Sequence, residues 1–153
     1  MGKFTSRVWD HLILPARAAR TPGDEQASRL MGRPVPEPVS VQLVIDSGSR
    51  RSSLIPGIVD HLNPTRFGEA RVETSTASMA ANLYWVRLEF PGTSLGPISE
   101  HVVARMPLPP SLHAFQGLIG RDLLHRWESF LYEGRRGRLT VRDTPHWLFG
   151  WLW

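Results

Sequence analysis

Alternation of apolar and polar positions divides the chain into short strands separated by turns. Val39-Ser40-Val41-Gln42-Leu43-Val44-Ile45 is apolar at 39, 41, 43 and 45 and polar at 40 and 42. Period two predicts a strand with one buried face. It runs directly into the polar loop Asp46-Ser47-Gly48-Ser49. Leu54, Ile55, Ile58, Val59 and Leu62, with Pro56-Gly57 among them, predict a bend and one or two helical turns. From Leu83 to Phe90 the alternation returns, with Tyr84, Val86, Leu88 and Phe90 on one face and Arg87 and Glu89 on the other. The small, polar stretch Glu73 to Asn82 before it predicts a hairpin tip. His101 to Ala104 predicts a strand, and Arg121 to Trp127 has helical character, with Leu123, Leu124 and Trp127 on one side. Segments 129–132 and 138–141, joined through Gly134-Arg135-Arg136-Gly137, predict a β-hairpin.

Both ends depart from this pattern. Residues 1–33 are polar and rich in Ala and Arg, broken by Thr21-Pro22-Gly23-Asp24, and predict a tail or a short helix. The prolines at 34, 36 and 38 then impose an extended lead into a main domain spanning 34–143. The segment 144–153 carries Trp147, Phe149, Trp151 and Trp153. Aromatics at that density mark an interface in a dimer or pack on the subunit's own core, and both readings stand.

Composition narrows the class of protein. The chain has 153 residues, no cysteine, and 18 Lys+Arg against 14 Asp+Glu, a net charge of +4. Without cysteine there is no disulfide scaffold, thiolate zinc site, iron–sulfur cluster or cysteine nucleophile. The 13 glycines and 13 prolines favour many turns, hence β structure over a helical bundle. No apolar run approaches a membrane span, and the first residues do not read as a secretory leader, so the expected location is cytoplasmic. The arginines are scattered, which argues against a nucleic-acid-binding face.

Asp46-Ser47-Gly48 is the segment with candidate chemistry. A buried strand fixes a carboxylate at its end, a hydroxyl follows that can bond neighbouring backbone, and glycine admits close approach. The same tripeptide also forms an ordinary Asx-turn at a strand end. His11, His61, His101, His113, His125 and His146 show no metal-ligand spacing, and neither a G-x-S-x-G nor a phosphate-binding glycine loop occurs. No metal or other cofactor is expected. Asp122 is expected to cap the helix that follows it or to pair with an arginine.

Some seventy residues after Asp46 comes Gly117-Leu118-Ile119-Gly120-Arg121-Asp122. Together with Asp46-Ser47-Gly48 and the closing hairpin, this order resembles the retropepsin-like aspartic proteases, specifically their small bacterial members, over residues 34–143. The resemblance implies an all-β acid-protease barrel with one short helix, and an aspartic endopeptidase hydrolysing peptide bonds. Only one Asp-Ser-Gly exists in the chain. The resemblance therefore implies an obligate homodimer in which two Asp46 carboxylates share one proton and activate a water, as they do throughout that family. It assigns Ser47, Gly48, Ser49, Leu118, Ile119 and Gly120 to support of the site. It assigns Thr74, Ser75, Thr76, Ala77 and Ser78 to a flap over a bound peptide.

Three features differ from the family pattern. The flap segment has no glycine, Arg50-Arg51 stand where viral relatives commonly carry an acidic residue, and residues 1–33 do not plainly supply an interface strand. The first two favour an alternative: a dimeric peptide-binding module that keeps the fold and cleaves nothing.

Overall fold

The computed structural model describes residues 2–7, 11–73 and 77–143. In chain order the elements are β1 (Lys3–Arg7), β2 (Ile13–Ala19), α1 (Pro22–Leu30), β3 (Val39–Ile45), β4 (Ser53–Leu54), α2 (Pro56–Leu62) and β5 (Arg66–Glu73). They continue as β6 (Ser78–Glu89), β7 (Ile98–Arg105), β8 (Gly117–Ile119), α3 (Arg121–Leu124), β9 (Ser129–Glu133) and β10 (Arg138–Arg142). The alternating segments therefore became strands. The three α-helices among the described residues fall in the segments 1–33, 54–62 and 121–127 that had a helical reading, two more than the one short helix the family resemblance implies.

The larger sheet runs β2-β3-β8-β4-β7-β6-β5. Arg17↔Glu89, Ala18↔Leu88 and Ala19↔Arg87 pair β2 with β6, which closes the first six strands into a barrel and leaves β5 outside as the hairpin partner of β6. A separate three-stranded sheet, β1-β10-β9, is antiparallel throughout. Closure pairs the six barrel strands on both sides and encloses one core, while β5 remains an edge. Leu14, Leu43, Leu54, Val86, Val103 and Ile119 are among its fully buried side chains, each worth about 1.5–3 kcal/mol of apolar burial. Ala81, Leu83 and Ala104 form a smaller cluster on the other face of β6 and β7, packed by Ala70 and Val72 of β5.

Residues 1–33 are where the structure departs from expectation. They are not a tail. β2 is a barrel strand in register with β3 (Ile13↔Val44 to Ala18↔Val39), and β1 pairs with β10. The strand escapes a period-two reading because its inward positions include Ala16 and Ala18, small residues that fit a crowded barrel wall but signal strand weakly. Likewise, Thr21-Pro22-Gly23-Asp24 does not break the chain. Thr21 is the N-cap of α1, its Oγ1 accepting the Asp24 N–H at 3.2 Å, with proline in the first turn where no N–H is needed. Trp9, the flap residues Thr74 to Thr76 and the aromatic segment 144–153 lie outside the described residues.

Candidate active site

Asp46 ends β3 where that strand runs parallel to β8, Leu43↔Gly117, Val44↔Leu118 and Ile45↔Ile119. One further backbone bond, Asp46 N–H to the Ile119 carbonyl at 2.9 Å, carries the pairing to the aspartate itself. On its other side β8 runs antiparallel to β4, Ser53↔Leu118 and Leu54↔Gly117. The loop from 46 to 52 therefore leaves β3, passes over the end of β8 and returns as β4. Strand β8 lies between the two strands that this loop joins. Backbone bonds of 2.9 Å from the Asp46 N–H to the Ile119 carbonyl and from the Arg121 N–H to the Ser49 carbonyl set this loop against the end of β8 and the start of α3.

The Asp46 side chain is exposed, and its Oδ1 accepts the Gly48 N–H at 2.9 Å. This is the Asx-turn that the tripeptide favours. It also aims the carboxylate, since one oxygen is held while Oδ2 makes no hydrogen bond among the described residues. A Cβ at position 48 would sit 3.1 Å from Asp46 Oδ1, so glycine permits this close turn.

Beneath the loop lies a polar network that sequence reasoning did not find. Ser52 is buried; its N–H reaches Asp122 Oδ1 and Oδ2 at 2.9 and 3.0 Å and its hydroxyl donates to Oδ1 at 2.7 Å. The same hydroxyl accepts the Gly120 N–H at 3.0 Å. Buried His101 of β7 places Nε2 3.3 Å from Asp122 Oδ2. Asp122 also accepts the Leu123 N–H at 2.8 Å. Asp122 does not cap α3, whose N-cap is Gly120 with no side-chain cap bond; it lies in the first turn, and the ionisable side chain beside it is a histidine where an arginine was the other expectation. Burial pushes the Asp122 carboxyl upward, yet the facing His101 ring and the hydrogen bonds from the Ser52 N–H and hydroxyl outweigh it and leave the group below its ordinary value.

A cleft of about 540 Å³ opens beside the Asp46 loop, with residues 48–51 on one wall and 70–73, the end of β5, on the other. The β5–β6 hairpin thus stands over the loop, and Ala77 and Ser78 are exposed at its described end. Such a cleft, whose lining begins at Gly48, two residues past Asp46, can hold an extended peptide.

Among solved structures, a retropepsin-like aspartic protease from Rickettsia conorii matches over 93% of this chain and 91% of that one, with a TM-score of 0.59 and 11% sequence identity. The chain has a retropepsin-like fold. No family model and no curated protein matches it. At this identity the likeness carries architecture alone. It supports the six-stranded barrel as a retropepsin-like fold. No helix among the described residues is long and apolar enough to cross a membrane. Nor, among those residues, do three or more His, Asp or Glu side chains group as metal ligands would.

Proposed function

We propose that this chain is an aspartic endopeptidase acting as a homodimer, with Asp46 of each protomer facing its counterpart across a shared peptide cleft. The observation that carries the reading is the placement of Asp46: an exposed carboxylate, tethered by one oxygen, at the end of a buried strand and beside a cleft. One such aspartate per chain supplies half of the required pair. Two carboxylates a few ångströms apart, on the order of the distance across one water, cannot both ionise freely, so the pair holds one proton between them. The ionised member removes a proton from the attacking water. The protonated member donates to the carbonyl oxygen as the tetrahedral centre forms, and a proton then passes to the departing amine. Ser47 and Gly48 keep the two loops close, and the β5–β6 hairpin covers the peptide.

A second reading is a dimeric peptide-binding module without cleavage, favoured by the absence of glycine between Glu73 and Asn82. Digestion of casein by wild type and Asp46→Asn, from about pH 3.5 to 7.5 where a shared-proton pair would titrate, separates the two. The peptidase reading expects wild-type cleavage reduced on the order of a thousandfold in Asp46→Asn. Sedimentation of both samples should show the dimer. Equal cleavage by the two proteins removes Asp46 from the chemistry, and a stable dimer with no cleavage by either supports the binding module.

A further inference from the structure

The cleft beside Asp46 carries charge that a peptide backbone does not require. Arg50 and Arg51 stand on one wall and Arg71 on the other, and Glu73 is the lone carboxylate among its lining residues. Elsewhere the surface engages its arginines: Arg105 forks onto Asp60 with bonds of 2.9 and 2.8 Å, and Arg87 reaches both Glu25 and Glu89. Arg50, Arg51 and Arg71 form no ion pair among the described residues, although Glu73 lies two positions from Arg71 on the same strand face. Other unpaired arginines are found on the surface, but these three face one cleft.

The backbone beneath two of them is fixed. The Ser49 carbonyl accepts the Arg121 N–H at 2.9 Å, the Arg50 carbonyl accepts the Asp122 N–H at 3.3 Å, and the Ser49 hydroxyl donates to the Arg51 carbonyl at 2.8 Å. Gly120 packs so closely that a Cβ there would lie 2.6 Å from the Arg51 carbonyl carbon. A guanidinium on such a loop gives up little backbone freedom when it binds, and its planar fork matches a carboxylate. Ala70 and Val72 also belong to the opposite wall, but alternation along β5 puts their side chains on the face away from Arg71, packed on Ala81 and Leu83. The carboxylate of Glu73 on the same wall disfavours a continuous run of phosphates and suits the isolated carboxylates of a peptide better.

We propose that this cleft selects peptides bearing Asp or Glu side chains next to the segment lying over Asp46, with the acidic groups held between Arg50 and Arg51 on one wall and Arg71 on the other. The inference rests on the peptidase reading for where the peptide lies, but the recognition itself requires no cleavage.

The test uses fluorescein-labelled decapeptides with a central Phe-Leu pair flanked by Glu, Gln or Lys. Binding to full-length Asp46→Asn is followed by anisotropy, and cleavage of the same peptides is followed with wild type. The Glu peptide should bind about three- to tenfold more tightly than the Gln peptide at low salt, and the advantage should shrink as salt rises. Arg71→Glu, at an exposed position, should shift the preference toward the Lys peptide, and Arg50→Gln or Arg71→Gln should flatten it. Cleavage of Glu and Gln peptides at equal rates overturns the acidic preference while leaving the peptidase reading in place. Acid-selective binding by Asp46→Asn without any wild-type cleavage does the reverse. A preference untouched by the arginine variants, absence of all binding and cleavage, or displacement of the Glu peptide by a single-stranded oligonucleotide each overturns the proposal.

Discussion

Asp46 and Asp122 sit on two sides of one seam and are treated in opposite ways. Asp122 is filled: two N–H groups, a serine hydroxyl and a histidine ring surround its carboxylate. Asp46 has the Gly48 N–H on one oxygen and is otherwise open. A carboxylate that secures a fold works by having its hydrogen-bonding capacity used up, because each contact ties another piece of chain to it. A carboxylate intended for chemistry must keep an oxygen available and still be aimed. The loop between Asp46 and Ser52 allows both, since its far end is locked to Asp122 and its near end is held by β8.

The strongest way to break this division is to open the seam. Gly120→Ala would drive a Cβ to within 2.8 Å of Arg51 backbone nitrogen and oxygen, with no flexible side chain to yield. It should destabilise by about 3 kcal/mol, the scale of severe overpacking, and lower the urea midpoint accordingly. Asp122→Ala comes next, at about 2 kcal/mol, because it leaves the buried Ser52 donors without an acceptor. Asp46→Ala should move stability by no more than about 0.5 kcal/mol, since it removes one exposed contact. If Asp46→Ala melts as early as Asp122→Ala, the open carboxylate is a structural tie and the division fails.

The two aspartates also differ in how readable they were. Asp46 is legible because its surroundings are local: an alternating strand, a carboxylate, a hydroxyl and a glycine are consecutive in sequence. Its Asx-turn spans two residues. The network of Asp122 is not local. Ser52 is seventy positions away, and His101 arrives from a strand that must first pair in the barrel, so no spacing rule brings them together. The same reasoning explains the fold. Strands β3, β6 and β7 declare themselves by large branched residues on one face, whereas β2 buries alanines and contains Pro15. The start of α1 was readable in principle, since threonine, then proline, then Asp24 and Glu25 in the first turn is a helix-start pattern. Arg71, by contrast, becomes part of the cleft only because the hairpin folds over the loop carrying Arg50 and Arg51.

Acid sharpens the comparison with a smaller effect. The Asp122 carboxyl lies below its ordinary 3.8 in the folded protein, so the unfolded chain binds its proton first as pH falls. The stabilisation from this group is therefore complete above the ordinary aspartate range and is lost as pH drops through the lower folded value. Urea midpoints of the wild type should decline in that window. Asp122→Asn, which keeps the shape but cannot titrate, should decline less steeply. Ser52→Ala removes the hydroxyl donor and keeps the N–H, so its slope should fall between the two. A wild-type slope equal to that of Asp122→Asn would mean that the network does not favour the ionised carboxylate. The same series also separates two causes of lost cleavage at low pH. Where cleavage by Asp122→Asn outlasts that of wild type as the solution is acidified, the loss belongs to the seam beneath the loop. Where both fail together, it belongs to the chemistry at the loop itself.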